Sequence, residues 1–132
     1  MLKLEIISPK ERVFSADAKQ VVLPTESGEI GVLPGHVSLV TQLKIGVMKV
    51  INESNQEVFA IKGGFAQLVS DRVSILTDEA VSKNDLEASV IEQSINNIKN
   101  QLADSESDTE RETLSKLLHF YQLQESLLAH RS

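Results

Sequence analysis

The chain has 132 residues, carries a formal net charge of −6 and contains no cysteine. This length suits one domain, or one small domain with an appendage. An acidic chain is a poor candidate for binding nucleic acid or anionic lipid, and the lack of cysteine excludes disulfides, thiolate zinc sites and cysteine nucleophiles.

The N-terminal part of the chain, up to about residue 80, has the composition of β-strands. Residues 2–6, LKLEI, alternate apolar and charged side chains, which predicts a strand with one buried and one solvated face. Residues 1–14 have no continuous apolar region and no run in the sequence approaches the roughly 18 apolar residues of a membrane span, so we expect neither a secretory signal nor a span, and any membrane association through another protein. Further runs rich in valine and isoleucine lie at 19–24, 46–51, 57–70 and 72–77. Short strands separated by turn signals predict an antiparallel sandwich or barrel.

The segment GEIGVLPGH, residues 28–36, combines turn-forming glycine and proline with large apolar side chains. We predict a turn here. Exposed apolar clusters often mark partner sites, so Val32 and Leu33 have two candidate roles: closing one end of the sandwich, or contacting a partner. Alternate residues face opposite ways, and both roles are therefore compatible.

Gly63 and Gly64 interrupt the longest strand pattern. Glycine inside a strand indicates either a β-bulge or the close approach of another backbone. The sequence leaves both alternatives open.

The apolar period changes after residue 80. Ile91, Ile95 and Ile98 are spaced as one stripe of a helix, with Leu102 extending it. Asn84, three residues before Glu87, has the spacing of a capping box and predicts the start of that helix.

A polar break at 103–108 separates this helix from a second one, for which Ser107 and Glu110 form another capping-box pair. Two helices joined by a short link are expected to fold back as an antiparallel hairpin, either docked conditionally or fixed permanently on the sandwich. From residue 83 onward the chain has nine acidic and five basic residues, a net charge of −4. The stripe of the second helix is predicted to contain Leu114, Leu117 or Leu118, Tyr121 and Leu128.

We find no residue constellation for catalysis. The nucleophile elbow, the phosphate-binding loop and the dinucleotide fingerprint are missing, and the three histidines are far apart in sequence. The acidic pairs Glu26/Glu29 and Asp78/Glu79 fit solvated turns better than a glycosidase site, because the chain has few aromatic residues to line a cleft. We therefore expect no catalytic residue, no metal and no cofactor.

Two long segments, LPTESGEIGVLPGHVSLVTQLKIGVMKV and FAIKGGFAQLVSDRVSILTDEA, closely resemble the epsilon subunit of bacterial and chloroplast F-type ATP synthases, which is equivalent to the mitochondrial delta subunit. The resemblance runs from residue 2 to about residue 80. It implies a mixed fold, an N-terminal antiparallel β-sandwich of about ten strands followed by a C-terminal two-helix hairpin. The implied domains are 1–82, which binds gamma and the c-ring, and 83–132, which is regulatory.

The resemblance also implies a function. The chain would be a non-catalytic subunit of the central rotor stalk, coupling rotation of the c-ring to gamma and to the catalytic head during proton-driven ATP synthesis. It would lie on the cytoplasmic face of a bacterial inner membrane or the stromal face of the thylakoid, held there by the complex and not inserted in the membrane. Extended, the hairpin would reach the alpha and beta subunits and inhibit ATP hydrolysis.

Site residues follow from the same resemblance, position by position. His36 and Thr41 match positions that face gamma. Basic residues on the second helix would make the inhibitory contacts to beta, and here these are Arg111, Lys116 and Arg131. The positions that match the c-ring-facing loop are Gly28, Glu29, Ile30 and Gly31.

The hairpin departs from the nucleotide-binding members of the family. Their motif I-D-x-x-R-A aligns with LEASVI, residues 86–91, so that Val90 replaces the arginine. Phe120 and Gln124 stand about where arginines of the second helix are expected, and a polyphosphate needs such cations. We therefore expect ATP binding to be absent or very weak, which disfavours the alternative of a nucleotide-sensing protein outside the synthase; an adaptor whose sandwich binds a different partner stays open as the other alternative. The degenerate motif positions are Leu86, Glu87, Val90 and Ile91.

Overall fold

The computed structural model describes residues 1–9, 12–35 and 38–129. The chain divides into two compact units, Met1–Ser82 and Lys83–Ser132. The first unit contains eight strands within the described residues, not the implied ten. They are β1 Leu2–Ile7, β2 Arg12–Ala18, β3 Gln20–Thr25, β4 Gly28–Val32, β5 Leu39–Ile51, β6 Gln56–Val69, β7 Arg72–Leu76 and β8 Ala80–Ser82.

The strands form a sandwich whose two layers share the long strands β5 and β6. The order is β2-β1-β7-β6-β5-β3-β4, with β8 paired to β6. The first half of β5 pairs with the second half of β6 beside β7, whereas the second half of β5 pairs with β3. Strands of 13 and 14 residues that pass through both layers explain the lower strand count. The pairing of β1 with β7 is parallel, so the predicted sandwich is antiparallel everywhere except there.

One aliphatic cluster fills the space between the layers. The predicted alternation of β1 is confirmed, since Leu2, Leu4 and Ile6 are buried and Lys3 is exposed. Phe14 of β2 and Phe59 of β6 bring their ring centroids to 4.9 Å. At roughly 25 cal/mol for each Å² of apolar surface removed from water, this interior is the main stabilising term of the unit.

Gly63 and Gly64 mark the corner where β6 passes from one layer to the other. Both have positive φ angles, 74° and 117°. The pairing with β5 keeps its register across them, but the buried positions change from Phe59 and Ile61 to Ala66 and Leu68. A Cβ on Gly64 would lie 1.9 Å from the carbonyl oxygen of Leu76. The close approach of another backbone, one of the two alternatives, is therefore the reason for glycine here.

The segment 28–36 is only partly the predicted turn. Residues Gly28–Val32 form β4, which pairs antiparallel with β3 at the edge of the sheet. The glycines and the proline of this segment hid the strand from sequence analysis. The expected alternation of buried and exposed side chains is present, since Val32 is fully buried while Leu33 is 53% exposed. Val32 therefore has the first of the two candidate roles, closing the sandwich, whereas Leu33 is left available for the second, contact with a partner.

The helix α1 spans Ala88–Asp104 and has the predicted stripe, with Ile91, Ile95 and Ile98 buried. Its predicted capping box is wrong. Residues Lys83–Asp85 form a short 3₁₀ turn, and Glu87, the residue before the helix, is extended and makes no side-chain capping bond. Asn84, which the capping spacing had placed at the start of the helix, lies instead in this 3₁₀ turn, and α1 begins four residues later.

The helix α2 spans Asp108–Ala129 and contacts α1. Its cap is as predicted, since the hydroxyl of Ser107 accepts a hydrogen bond from the backbone N–H of Glu110 at 3.3 Å. Its buried residues are Leu114, Phe120 and Gln124. Of the predicted stripe Leu114 is confirmed, whereas Tyr121 and Leu128 are only half-buried and Phe120 and Gln124 are buried in their place, so the stripe is rotated.

Candidate functional site

The outer surface of the β5–β6–β7 layer exposes a cluster of large apolar side chains, which we call the outer apolar face: Val40, Phe65, Val69 and Leu76. They are between 46% and 71% exposed. Phe65 and Leu76 are direct cross-strand partners, and Val40 lies opposite Gln67, between Phe65 and Val69 on β6. Strand register therefore assembles residues that are up to 36 positions apart into one surface.

These residues are exposed because the strands have apolar side chains on both faces. In β6 the inward residues Ala66 and Leu68 are buried, while Phe65 and Val69 point outward on the alternate positions. A single exposed apolar residue is ordinary, but a contiguous group on one sheet face marks a site of interaction. The sequence analysis missed this surface. The signal for it was the sequence of β6, which has apolar side chains on both faces, whereas an antiparallel strand usually has one polar face.

A charged border adjoins the outer apolar face on the neighbouring strands. Asp17, Lys3 and Arg72 lie in one row across β2, β1 and β7. Further along the same two strands, Glu5 of β1 forms an ion pair with Arg12 of β2 at 3.3 Å. A surface that is apolar on one side and charged on the other has the composition of a protein interface with a polar rim.

The turn after β4 is fastened to one end of this surface. The backbone N–H of Gly35 donates to the Asp71 carboxylate at 2.8 Å, and Asp71 belongs to the β6–β7 turn that follows Val69. This hydrogen bond holds the exposed Leu33 segment near the outer apolar face. His36, which the resemblance assigns to gamma, comes next in the chain but lies outside the described residues.

Thr41, the second residue assigned to gamma, has its side chain on the other side of the sheet. It is half-buried and pairs with Ala66, which is 1% exposed, so its side chain is on the interior face. Val40, the residue before Thr41 in β5, is the one whose side chain lies on the outer face of the sheet.

The residues assigned to the c-ring lie on β4 and at its start. Glu29 and Gly31 are exposed, whereas Ile30 packs against the core. Gly28 has a φ of 121°, and its carbonyl accepts a hydrogen bond from the Thr25 hydroxyl, which closes the β3–β4 turn. The strand therefore presents Glu29 outward from a hairpin whose turn is closed by this hydrogen bond.

Two of the three basic residues assigned to beta, Arg111 and Lys116, make local contacts within the hairpin. Arg111 donates to the carbonyl oxygen of Leu102 at 2.8 Å, where it covers the C-terminal end of α1. Lys116 pairs with Glu112 at 3.6 Å. Arg131, the third candidate contact to beta, lies outside the described residues.

The positions of the degenerate nucleotide motif do not form a cationic site. Glu87 and Val90 are exposed, Leu86 is half-buried and Ile91 is buried. Phe120 and Gln124, at the positions where arginines were expected, are buried and not directed to solvent. Among the described residues there is no group of acidic and histidine side chains that could hold a metal ion.

Neither helix in the described part of the chain is long and apolar enough to cross a membrane.

Comparison with known proteins places these features in one family. A family model described as "ATP synthase, Delta/Epsilon chain, beta-sandwich domain" matches residues 1–83. Over 132 residues the chain is 33% identical to a protein named ATP synthase epsilon chain from Prochlorococcus marinus (strain NATL1A), covering 95% of this chain and 98% of that relative.

Solved structures give the same result. A chain in the Euglena gracilis mitochondrial ATP synthase, a structure described as OSCP/F1/c-ring, superposes with a TM-score of 0.78 at 25% identity and covers 96% of this chain and 81% of its own length. A chain in the central stalk/c-ring structure of the Tetrahymena thermophila mitochondrial ATP synthase has a TM-score of 0.62 at 13% identity, with coverages of 95% and 94%. The second likeness supports the fold alone.

Proposed function

Because the chain belongs to the family of ATP synthase delta/epsilon chains, we propose that its sandwich docks on the gamma subunit through the outer apolar face. As a member of this family it is a non-catalytic subunit of the rotor stalk of an F-type ATP synthase. It associates with the membrane as part of that peripheral complex. On the proposed arrangement it transmits rotation of the c-ring to gamma and the catalytic head, on the cytoplasmic or stromal side.

The outer apolar face is the observation on which this proposal rests. A rotor subunit that transmits torque needs a lasting contact, and lasting protein contacts have an apolar centre surrounded by polar residues. Val40, Phe65, Val69 and Leu76 supply such a centre, and the row that contains Lys3 supplies a charged border. Charged groups at a rim fix orientation more than they add affinity.

Co-purification of the tagged chain with gamma from the same organism tests the proposal. We expect Phe65→Asp to weaken the association at least about 100-fold, because it places an unpaired charge in the centre of the contact. Val90→Asp is the matched control, since Val90 is equally exposed, at 50% against 54%, but lies on α1. A wild-type chain that remains monomeric in the presence of gamma would refute the proposal.

We also propose that Glu29 faces the polar loops of the c-ring. The support is its exposure at the edge strand β4, next to a turn that Gly28 and Thr25 hold in place. The chain has no cysteine, so Glu29→Cys and Val40→Cys each create a unique thiol for cross-linking in the assembled complex. We expect position 29 to cross-link to the c-ring and position 40 to gamma; exchange of the two partners would contradict this orientation.

The hairpin, we propose, inhibits ATP hydrolysis only moderately. Arg111 and Lys116 make contacts within the hairpin, and they must give these up to reach an acidic segment of beta. Exposed ion pairs contribute at most about 1 kcal/mol each, so the gain is small. Deletion of 83–132 should raise the ATPase activity of the assembled complex by a small factor; an unchanged activity would show that the hairpin is not inhibitory.

A further inference from the structure

A pocket of about 390 Å³ opens beside the outer apolar face, where the end of β1 meets β6 and β7. Its lining includes Phe65 and Leu76, which also belong to the outer apolar face, together with Ile7 and Pro9 from the end of β1 and the segment after it. A surface cluster and a concave site are thus continuous. We infer that this pocket receives a single large apolar side chain, aliphatic or aromatic, from the docking partner, and that a basic residue of the partner lies beside Asp78.

The walls of the pocket are held in place by backbone contacts. The N–H of Thr77 donates to the carbonyl oxygen of Ile7 at 3.0 Å, which joins the end of β7 to the end of β1. On the other side, the lack of a Cβ on Gly64 lets β6 approach the carbonyl of Leu76 closely. A pocket formed before binding avoids the cost of ordering its walls when the partner arrives.

The chemistry of the lining selects an apolar occupant. A site for a polar small molecule has a few convergent donors and acceptors among its apolar walls. Here the hydroxyl of Thr77 already donates to the carbonyl of Glu79 at 3.2 Å. The large exposed surfaces are those of Phe65 and Leu76, and these gain free energy when an apolar group covers them.

The negative charge at the mouth of the pocket indicates which kind of partner residue lies next to the apolar occupant. Asp78 lines the pocket and is exposed, and it has no ion-pair partner among the described residues. Because the occupant is an uncharged group and the adjacent carboxylate is free, a lysine or arginine next to it on the partner fits the site. Interface hot spots are enriched in tryptophan, tyrosine and arginine and lie in well-packed pockets from which water is excluded, which agrees with an apolar anchor and a basic neighbour.

This inference rests on the proposed docking to gamma and adds the point at which the affinity is concentrated. The test measures binding of the labelled full chain to the purified alpha–beta–gamma complex that lacks this subunit. Leu76→Ala removes a pocket wall, and Leu33→Ala is the matched control, because both leucines are about half exposed, 48% and 53%, and only the first lines the pocket. We expect at least about a 30-fold rise in Kd for Leu76→Ala and less than about 5-fold for Leu33→Ala.

Two further variants separate binding from folding. Leu76→Met conserves volume and should restore Kd to within about 3-fold of the wild type. Thermal melts of all variants must agree, which is expected for substitutions at exposed positions. For the charge, Asp78→Asn should raise Kd about 3-fold and reduce its dependence on salt, whereas Glu79→Gln, next to it and outside the pocket lining, should change neither.

The outcomes distinguish the two proposals. If the wild type binds but Leu76→Ala and Leu33→Ala have equal effects, the pocket is no anchor, although docking itself stands. If Asp78→Asn binds as tightly as the wild type, the basic flank is wrong. If the wild type does not bind the depleted complex, both the pocket and the proposed function fail.

Discussion

The two compact units of this chain are stabilised in different ways. The sandwich has a large apolar cluster contributed by strands that are distant in sequence, and its buried polar residues Thr25 and Thr77 both donate hydrogen bonds to backbone carbonyls. The helical unit buries Ile91, Ile95, Ile98, Leu114 and Phe120, but also Gln124, whose side-chain nitrogen has no hydrogen-bond partner. The sandwich also has an orphaned buried atom, Oδ1 of Asn52, and each such group costs about 1–3 kcal/mol. Because the helical unit sets this cost against far fewer buried apolar side chains, we expect it to be the less stable of the two.

This difference matches the different tasks that we propose for them. A docking unit benefits from a rigid surface, and the sandwich positions Phe65 and Leu76 by direct strand pairing. A regulatory unit benefits from marginal stability, because a small change in contacts then alters its population. The predictions that follow test this contrast, beginning with the largest expected effect.

Gly64→Ala should destabilise the sandwich by about 4 kcal/mol or more, because the new Cβ meets a carbonyl oxygen and the backbone conformation is already one that only glycine adopts easily. Gly28→Ala is the control: its φ of 121° resembles the 117° of Gly64, but nothing lies within 4 Å of its Cβ. We expect the control to cost about 1–2 kcal/mol. Urea unfolding measures both, and equal losses would show that the close approach to Leu76 is not the reason for glycine.

Phe120→Ala should lower the stability of the helical unit by about 3 kcal/mol or more, because Phe120 is fully buried. The sandwich should remain folded, since its core cluster contains no helical residue. Helix signal in circular dichroism should therefore melt at a lower temperature, while binding to gamma is retained. Loss of gamma binding in this variant would mean that the two units do not fold independently.

Gln124→Leu should stabilise the helical unit by about 1–2 kcal/mol, because it replaces an amide whose nitrogen has no hydrogen-bond partner with an apolar group of similar size. Gln122→Leu, on the exposed side of the same helix, controls for the change in helix propensity and hydrophobicity. The measurement is the melting temperature of the helical signal. A destabilising Gln124→Leu would show that the amide has a partner in solution.

ATP should bind to the isolated chain very weakly or not at all, which is the smallest effect that we predict. Val90 offers no cation, and the side chains of Phe120 and Gln124 are buried. Isothermal titration is the measurement, with addition of ATP expected to produce no heat above dilution. Micromolar affinity would contradict this expectation and would restore nucleotide sensing as a function.

Local sequence patterns were sufficient to predict the buried residues of a strand or helix that has one apolar face and one polar face. The alternation of residues 2–6 and the spacing of Ile91, Ile95 and Ile98 each predicted the buried residues correctly. The cap at Ser107 was also predictable, because a capping bond spans only three residues. Asn84 shows the limit of that rule, since a competing 3₁₀ turn takes the same residues.

Other features depended on packing that no local pattern contains. The period of α2 allowed several stripes, and only the folded chain shows that the buried one contains Leu114, Phe120 and Gln124. β4 was concealed by its two glycines and by the proline that follows it, and pairing with β3 is what makes it a strand. The parallel pairing of β1 with β7 joins the two ends of the sandwich sequence, which periodicity cannot specify.

The sequence by itself determined the fold class, the division into sandwich and hairpin, the family and the loss of the nucleotide motif, because each is written in contiguous residues. Only the tertiary structure decided where the exposed apolar residues meet. Val40, Phe65 and Leu76 become neighbours through strand register, and the pocket beside them exists because Thr77 binds Ile7 across two chain segments. The composition of such a surface depends on the register in which distant strands pair, and the order of residues along the chain does not specify that register.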